Sequence, residues 1–212
     1  VMAWSKYEDS EFSPGPKGLT ITQVAYGFRN DAFGDFVVLQ LKAKNEGSSP
    51  IDSLYLGIFS DFDIQPYDNN MAQTNPVRRL AFEWNPADSG APYVGVILTY
   101  PDSVSNLSVL DNALYVYPGI SESQKADFLS GELNFPTGDY ISDWSVVVSA
   151  GPFYIAPNDS QFVIFGFVGG EDSLLLFEHA DSLLHAARAP VHVEDPEEAV
   201  GEVVERTRPS LM

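Results

Sequence analysis

Asp35-Phe36-Val37-Val38-Leu39-Gln40-Leu41-Lys42-Ala43-Lys44-Asn45 is the stretch that decides the fold. Val37, Leu39, Leu41 and Ala43 share one face, and Gln40, Lys42 and Lys44 share the other. A period of two belongs to a pleated strand and not to a helix. The cluster that follows, Asn45-Glu46-Gly47-Ser48-Ser49-Pro50, is rich in turn formers and predicts a chain reversal. The same signature recurs on both sides. Leu19 to Tyr26 alternates before it. Ile51 to Phe62, Leu80 to Trp84, Tyr93 to Tyr100, Ala113 to Tyr117, Trp144 to Ser149 and Gln161 to Val168 read as strands after it. Pro157-Asn158-Asp159-Ser160 supplies the turn before the last of these.

Two segments break the pattern. Near 121–130, Ser121 is placed to cap a short helix and Gly131 to close it. Within 171–188, Leu175, Leu176, His179, Leu183 and Ala186 recur at helical spacing, and Pro190 ends the run. Strands do not alternate with helices, so a parallel sheet is not expected. The expected architecture is all-β: an antiparallel β-sandwich of about nine or more strands, with one short internal helix and one C-terminal helix. Residues 1–18 read as an irregular N-terminal segment and 19–189 as the sandwich domain, including the helix at 171–188. Residues 190–212 read as an acidic tail.

Composition narrows the classes of function. The 212 residues include 14 Phe and 10 Tyr, which favour sheets, and 16 Gly and 15 Pro, which punctuate many turns. Thirty acidic against 11 basic residues leave a net charge of −19. Such a polyanion repels phosphate backbones and anionic bilayers, so no nucleic-acid partner is expected. No run of about 18 apolar residues is present, so no membrane insertion is expected. With no cysteine, disulfides, thiolate metal sites and cysteine nucleophiles are excluded. The chain begins at Val1, which reads as a removed signal or a piece of a longer product.

The best chemical candidate is the loop Ser60-Asp61-Phe62-Asp63-Ile64-Gln65-Pro66-Tyr67-Asp68-Asn69-Asn70. Asp61 and Asp63, two apart, present both carboxylates to one side if the strand persists. Like charges that close repel unless a cation or donors neutralise them. Asp68 and Asn70 are placed to complete an oxygen cage. Oxygen ligands alone suit Ca2+ and not Zn2+, so a structural Ca2+ ion is the one cofactor expected. The spacing is not that of an EF-hand, and an Asx-rich loop held by its own backbone is the alternative.

Catalytic signatures are missing. His179, His185 and His192 match no compact ligand set, and neither a nucleophile elbow nor a nucleotide-binding glycine motif occurs. Tyr93, Tyr100, Tyr115, Tyr117, Tyr140, Trp144 and Phe153 lie on or near strands. They read as core or sheet surface, or as rings for stacking on sugars.

Several stretches in shared order resemble a known family. They are Gly18 to Tyr26, Asp35 to Leu39 with Asn45-Glu46-Gly47, Leu54 to Asp63, Tyr93 to Val96, Gly151-Pro152-Phe153, Ala156 to Ser160 and Phe165 to Gly170. Together they are similar to the β-rich accessory ectodomain of large secreted bacterial proteins. Those proteins often carry subtilisin-like or other peptidases upstream and a type IX-type sorting domain downstream. The resemblance spans about residues 18–188. It implies secretion to the cell surface or beyond, an accessory role without catalysis, and an Asp61/Asp63 loop that recurs in the fold. It places Met212 at a processing boundary. It also implies O-glycans on Asp-Ser pairs followed by an apolar residue, which here means Ser53, Ser103, Ser173 and Ser182.

These readings lead to an expected non-enzyme: an extracellular structural subunit that forms a filament or surface layer with copies of itself. Its terminal segments would be exchanged as strands, with Val191, Val193, Val200, Val203 and Val204 of the tail as the donor face. The alternative is an accessory or carbohydrate-binding module processed from a larger secreted hydrolase, with a glycan as its partner.

Overall fold

The structure is a computed structural model, and it describes residues 2–11, 15–27 and 36–187. Ten strands and two helices follow in chain order. The first six strands are β1 (Met2–Glu8), β2 (Leu19–Gly27), β3 (Phe36–Asn45), β4 (Ile51–Asp61), β5 (Met71–Asn75) and β6 (Leu80–Trp84). Then come β7 (Tyr93–Tyr100), β8 (Asn106–Asp111), α1 (Glu122–Ser130), β9 (Trp144–Ile155), β10 (Ser160–Gly170) and α2 (Ser173–Ala186). All pairings are antiparallel. A seven-stranded sheet runs β1-β2-β3-β10-β7-β6-β5, and a three-stranded sheet runs β4-β9-β8. The chain is therefore an all-β antiparallel sandwich.

The alternation of β3 builds both of its faces. Leu39 and Leu41 turn inward and pack with Ala81, Val96, Leu98 and Phe165 against Val109, Val146 and Val148 of the smaller sheet. Phe36 and Val38 turn outward, where Leu80, Phe82, Ile97 and Ile164 join them beneath Leu176, Ala180 and Leu183 of α2. The middle of the large sheet is thus buried on both sides, so Val96-Ile97-Leu98 is continuously apolar. Gly166 permits the close approach of α2. A Cβ there would lie 2.1 Å from a Leu183 methyl.

The outer face of the small sheet carries α1, through Leu110, Val147 and Phe128. Ser121 caps α1 by accepting from the Gln124 N–H in a capping box, and Gly131 closes it at φ 90°. Its last carbonyls are also satisfied. The Asn106 amide donates to Phe128 O at 2.6 Å, and the Ser105 and Ser149 hydroxyls donate to Leu129 O at 2.9 and 2.8 Å. At α2 the Asp172 carboxylate accepts from the Leu175 N–H. His179, on α2, is a packing residue: its Nδ1 lies 2.7 Å from Gly169 O and its ring meets Phe36 edge-on.

Three local expectations are corrected. Residues 2–8, read as irregular, form β1, which pairs along its whole length with β2. Ala113 to Tyr117, read as a strand, lies in a π-helical turn, because the Asp111 carboxylate accepts from the Ala113 and Leu114 N–H groups and pulls the chain out of extension. The strand lies just before it, at β8. Residues 71–75, unassigned in the sequence, form β5. Pro190 and the tail at 190–212 lie outside the described residues, as do the donor valines Val191, Val193, Val200, Val203 and Val204.

Candidate metal centre

The site forms at one end of the sandwich, where strands from both sheets stop. Asp61 is the last residue of β4 and pairs with Ser145 of β9. Extending that register by two residues sets Asp63 opposite Asp143, which immediately precedes β9. Asp63 takes a left-handed conformation, φ 43°, which an Asp accepts more readily than most residues. As a result one carboxylate oxygen from each of Asp61, Asp63 and Asp143 falls within 4.8 Å of the others. Asp61 and Asp63 are exposed, whereas Asp143 is buried.

Asn112 holds this group in place. Its amide Nδ2 donates to Asp143 Oδ1 at 2.7 Å and to Asp61 Oδ1 at 3.3 Å. Its Oδ1 accepts from the buried Ser145 hydroxyl at 2.6 Å, which fixes the amide orientation. The Tyr117 phenol donates to the other oxygen of Asp143.

The floor comes from the opposite sheet. Glu83 lies two residues beyond Ala81 on the inward face of β6, and its exposure is 0%. Neither of its carboxylate oxygens has a hydrogen-bond partner. Burial pushes its pKa up to about 9, with further upward pressure from the charges of Asp61, Asp143 and Asp63. Asn70, also fully buried, enters β5 and exchanges backbone hydrogen bonds with Ser142, the neighbour of Asp143. Both of its side-chain polar atoms are unpartnered. Although the Asp61 residue is exposed overall, partial loss of water around its carboxyl raises its pKa, Asp63 raises it further, and the Asn112 hydrogen bond opposes. Asp143 is raised by burial and then by Asp61. Asp61, Glu83 and Asp143 are thus all raised for the same two reasons, lost water and neighbouring negative charge.

This donor set fits a hard cation. Three converging carboxylates supply only oxygen, and Glu83 and Asn70, buried at the same end, have no hydrogen-bond partner on their side chains. Of the residues expected to form the cage, Asp61 and Asp63 converge and Asn70 lies buried at the same end. Asp68 does not join them. It is exposed in a 3-10 turn at Tyr67–Asn69, because the chain turns away after Pro66. Asp143, Glu83 and Asn112 went unnoticed in the sequence. The available signal was a lone Glu in Leu80-Ala81-Phe82-Glu83-Trp84, on the same face as Ala81.

The other candidates fall at several places in the fold. Tyr93 stacks on Trp84 at 5.7 Å near α2, whereas Tyr115 meets Phe128 and Phe135 beside α1. Trp144 is buried, Phe153 packs on the inter-sheet core, and Tyr100 packs in the α2 layer. Tyr115, Tyr140 and Trp144 do line one small cavity with Phe135, the Tyr140 and Trp144 rings 5.3 Å apart, while Tyr93, Tyr100 and Phe153 lie outside it. Ser53 is exposed at a bulge of β4, Ser103 is exposed after β7, Ser173 starts α2 half-buried, and Ser182 is exposed on α2. Two of the neighbouring aspartates are already paired: Asp102 with Arg79 at 2.7 Å and Asp181 with Arg78 at 2.9 Å.

No protein-family model and no curated protein sequence matches the chain. Solved structures do. One is an aldose 1-epimerase candidate from Escherichia coli K12, with 10% identity and a TM-score of 0.47 over 80% of this chain and 65% of that one. Another is a protein of Synechocystis sp. PCC 6803, with 10% identity and a TM-score of 0.47 over 81% of this chain and 61% of that one. The chain spans less than two thirds of either neighbour's length. At that identity the likeness concerns the fold and not the chemistry.

The expectation of a filament subunit is corrected here. The finding against it is that one of the similar solved proteins is an aldose 1-epimerase candidate. The physical basis also fails at the N-terminus. The segment meant for donation to a neighbour is already paired within its own chain, as β1 on β2.

Proposed function

We propose that this chain is a cation-binding sandwich module whose acidic end takes Ca2+. The observation that carries the reading is Glu83, a fully buried carboxylate with no donor on either oxygen, placed beside three converging aspartates. Burying an ionised carboxylate without a partner is costly enough that the group protonates or meets a cation. The aspartates around it make the second outcome favourable. Asp61, Asp63, Asp143 and Glu83 would hold the ion, with Asn70 Oδ1 as a neutral ligand. Ca2+ fits better than Mg2+ because many protein oxygens and an irregular cage suit its larger, more flexible shell.

The role this supports is structural. Asp61 and Asp143 belong to the small sheet, and Glu83 and Asn70 to the large one, so a bound ion would clamp the two layers at their open end. An extracellular setting, as the sequence suggests, supplies Ca2+ at the levels that weak structural sites use. Thermal unfolding in Ca2+ and in chelator tests the reading. Ca2+ at about 100 times its dissociation constant should add about 2.7 kcal/mol to the stability of the chain. Asp143→Asn should abolish most of that gain. Identical melting of the parent chain in Ca2+ and in chelator would sink the proposal.

A further inference from the structure

A second feature lies on the opposite face of the small sheet, away from the Glu83 floor. Between α1 and the outer side of β4, β8 and β9 is a cavity of about 350 Å³. Gly57, Phe59, Leu110, Ile120, Phe128 and Val147 line it, and its walls are almost wholly apolar. That volume sits at the lower end of the range for small-molecule sites. Its frame is built in advance. The floor is paired strand, and α1 is fixed by its capping box, by Gly131 and by the amide and hydroxyl donors on its last carbonyls. Gly57 lets α1 lie directly on the sheet, since a Cβ there would come within 2.5 Å of a Leu129 methyl.

One charged residue lines the cavity, Lys125. Its ammonium pairs with Glu122 at 2.6 Å, but both side chains are more than half exposed. An exposed pair of that kind is worth little and exchanges readily for another anion. Phe59, at the rim, is 46% exposed. A protein partner would need about 1,000 Å² of complementary surface, which a concave slot of this size does not present.

We infer that the cavity beneath α1 binds a medium-chain aliphatic carboxylate, with the tail among Phe59, Leu110, Phe128 and Val147 and the head group on Lys125. The chain's net charge of −19 repels free anions, so burial of the tail must supply the affinity and Lys125 the choice of head group. The inference is independent of the cation site.

Calorimetric titration of the full chain with decanoate, below its micelle concentration, tests it. Saturable binding is expected, with decanol weaker and decyltrimethylammonium weaker still. Lys125→Glu should weaken decanoate about tenfold and leave decanol unchanged. Ile120→Trp, which fills the slot, should remove binding of both. Lys125 is exposed, so its variant keeps the test valid even if Ile120→Trp unfolds. Absence of saturable decanoate binding would overturn the inference. So would equal binding of decanoate and decyltrimethylammonium, an unchanged affinity in Lys125→Glu, or self-association in light scattering in place of ligand uptake.

Discussion

Two buried carboxylates at the same end of the sandwich have opposite surroundings. Asp111 is fully served. Its Oδ1 accepts from the Ala113 and Leu114 N–H groups at 2.8 and 3.3 Å, and its Oδ2 accepts from the Tyr140 phenol and from the Ser142 hydroxyl. The charge on Asp111 is spread over donors, and in return its hydrogen bond to Tyr140 holds that phenol above its ordinary pKa. Glu83 has no donor at all. The first arrangement holds the chain's path. The second costs stability until something positive arrives. Acidic residue type alone does not distinguish them, but the inventory of donors does.

The largest effect expected from breaking this contrast is at Asp111. Asp111→Ala removes the cap of the π-helical turn and strands four donors. Loss of a cap and of buried hydrogen bonds should together cost about 2–4 kcal/mol in denaturant unfolding. That loss should be the same in Ca2+ and in chelator, because Asp111 organises backbone and not an ion. A loss seen only with Ca2+ present would move Asp111 into the ion site and erase the contrast.

Glu83 gives the next effect, and pH reveals it. Its folded pKa, about 9, lies above the ordinary value of 4.5. The folded chain therefore holds a proton that the unfolded chain releases. That contribution is fully present below about 4.5 and is lost as pH rises through about 9. In chelator, stability should fall across that window, and Glu83→Gln should flatten the slope. With Ca2+ the parent chain should lose less stability at high pH, since the ion replaces the proton. A slope that Glu83→Gln leaves unchanged would place its origin in other groups.

The same contrast explains what was legible in the sequence. Strands buried on at least one face announce themselves, as β3 does through Leu39, Leu41 and Ala43. β1 does not, because it is an edge strand with both faces largely exposed, and Ser5, Lys6 and Tyr7 carry no alternation. β5 is short, and its inward residues Ala72 and Thr74 are too small to signal burial. Tyr115 and Val116 mimic a strand, and only the capping acid before them shows otherwise. Half of the proposed cation site is local, at Asp61 and Asp63, two residues apart in the sequence. The other half comes from Glu83 and Asp143, brought in by strands distant in sequence. Register, not spacing, puts them together.

Asp68 supplies the smallest effect and the sharpest control. Spacing alone made it a ligand as good as Asp63. The structure leaves it exposed on the turn after Pro66, outside the converging group. Asp68→Ala should change stability by less than about 0.5 kcal/mol, as exposed substitutions do, and should leave the Ca2+-dependent gain intact. Asp63→Ala, five residues earlier, should remove most of that gain. If the two variants lose it equally, the loop closes over the ion when Ca2+ binds, and the cage is the local one that the spacing suggests. If only Asp63→Ala loses it, the ligands are chosen by strand register across the two sheets, and Glu83 is the residue on which the site is built.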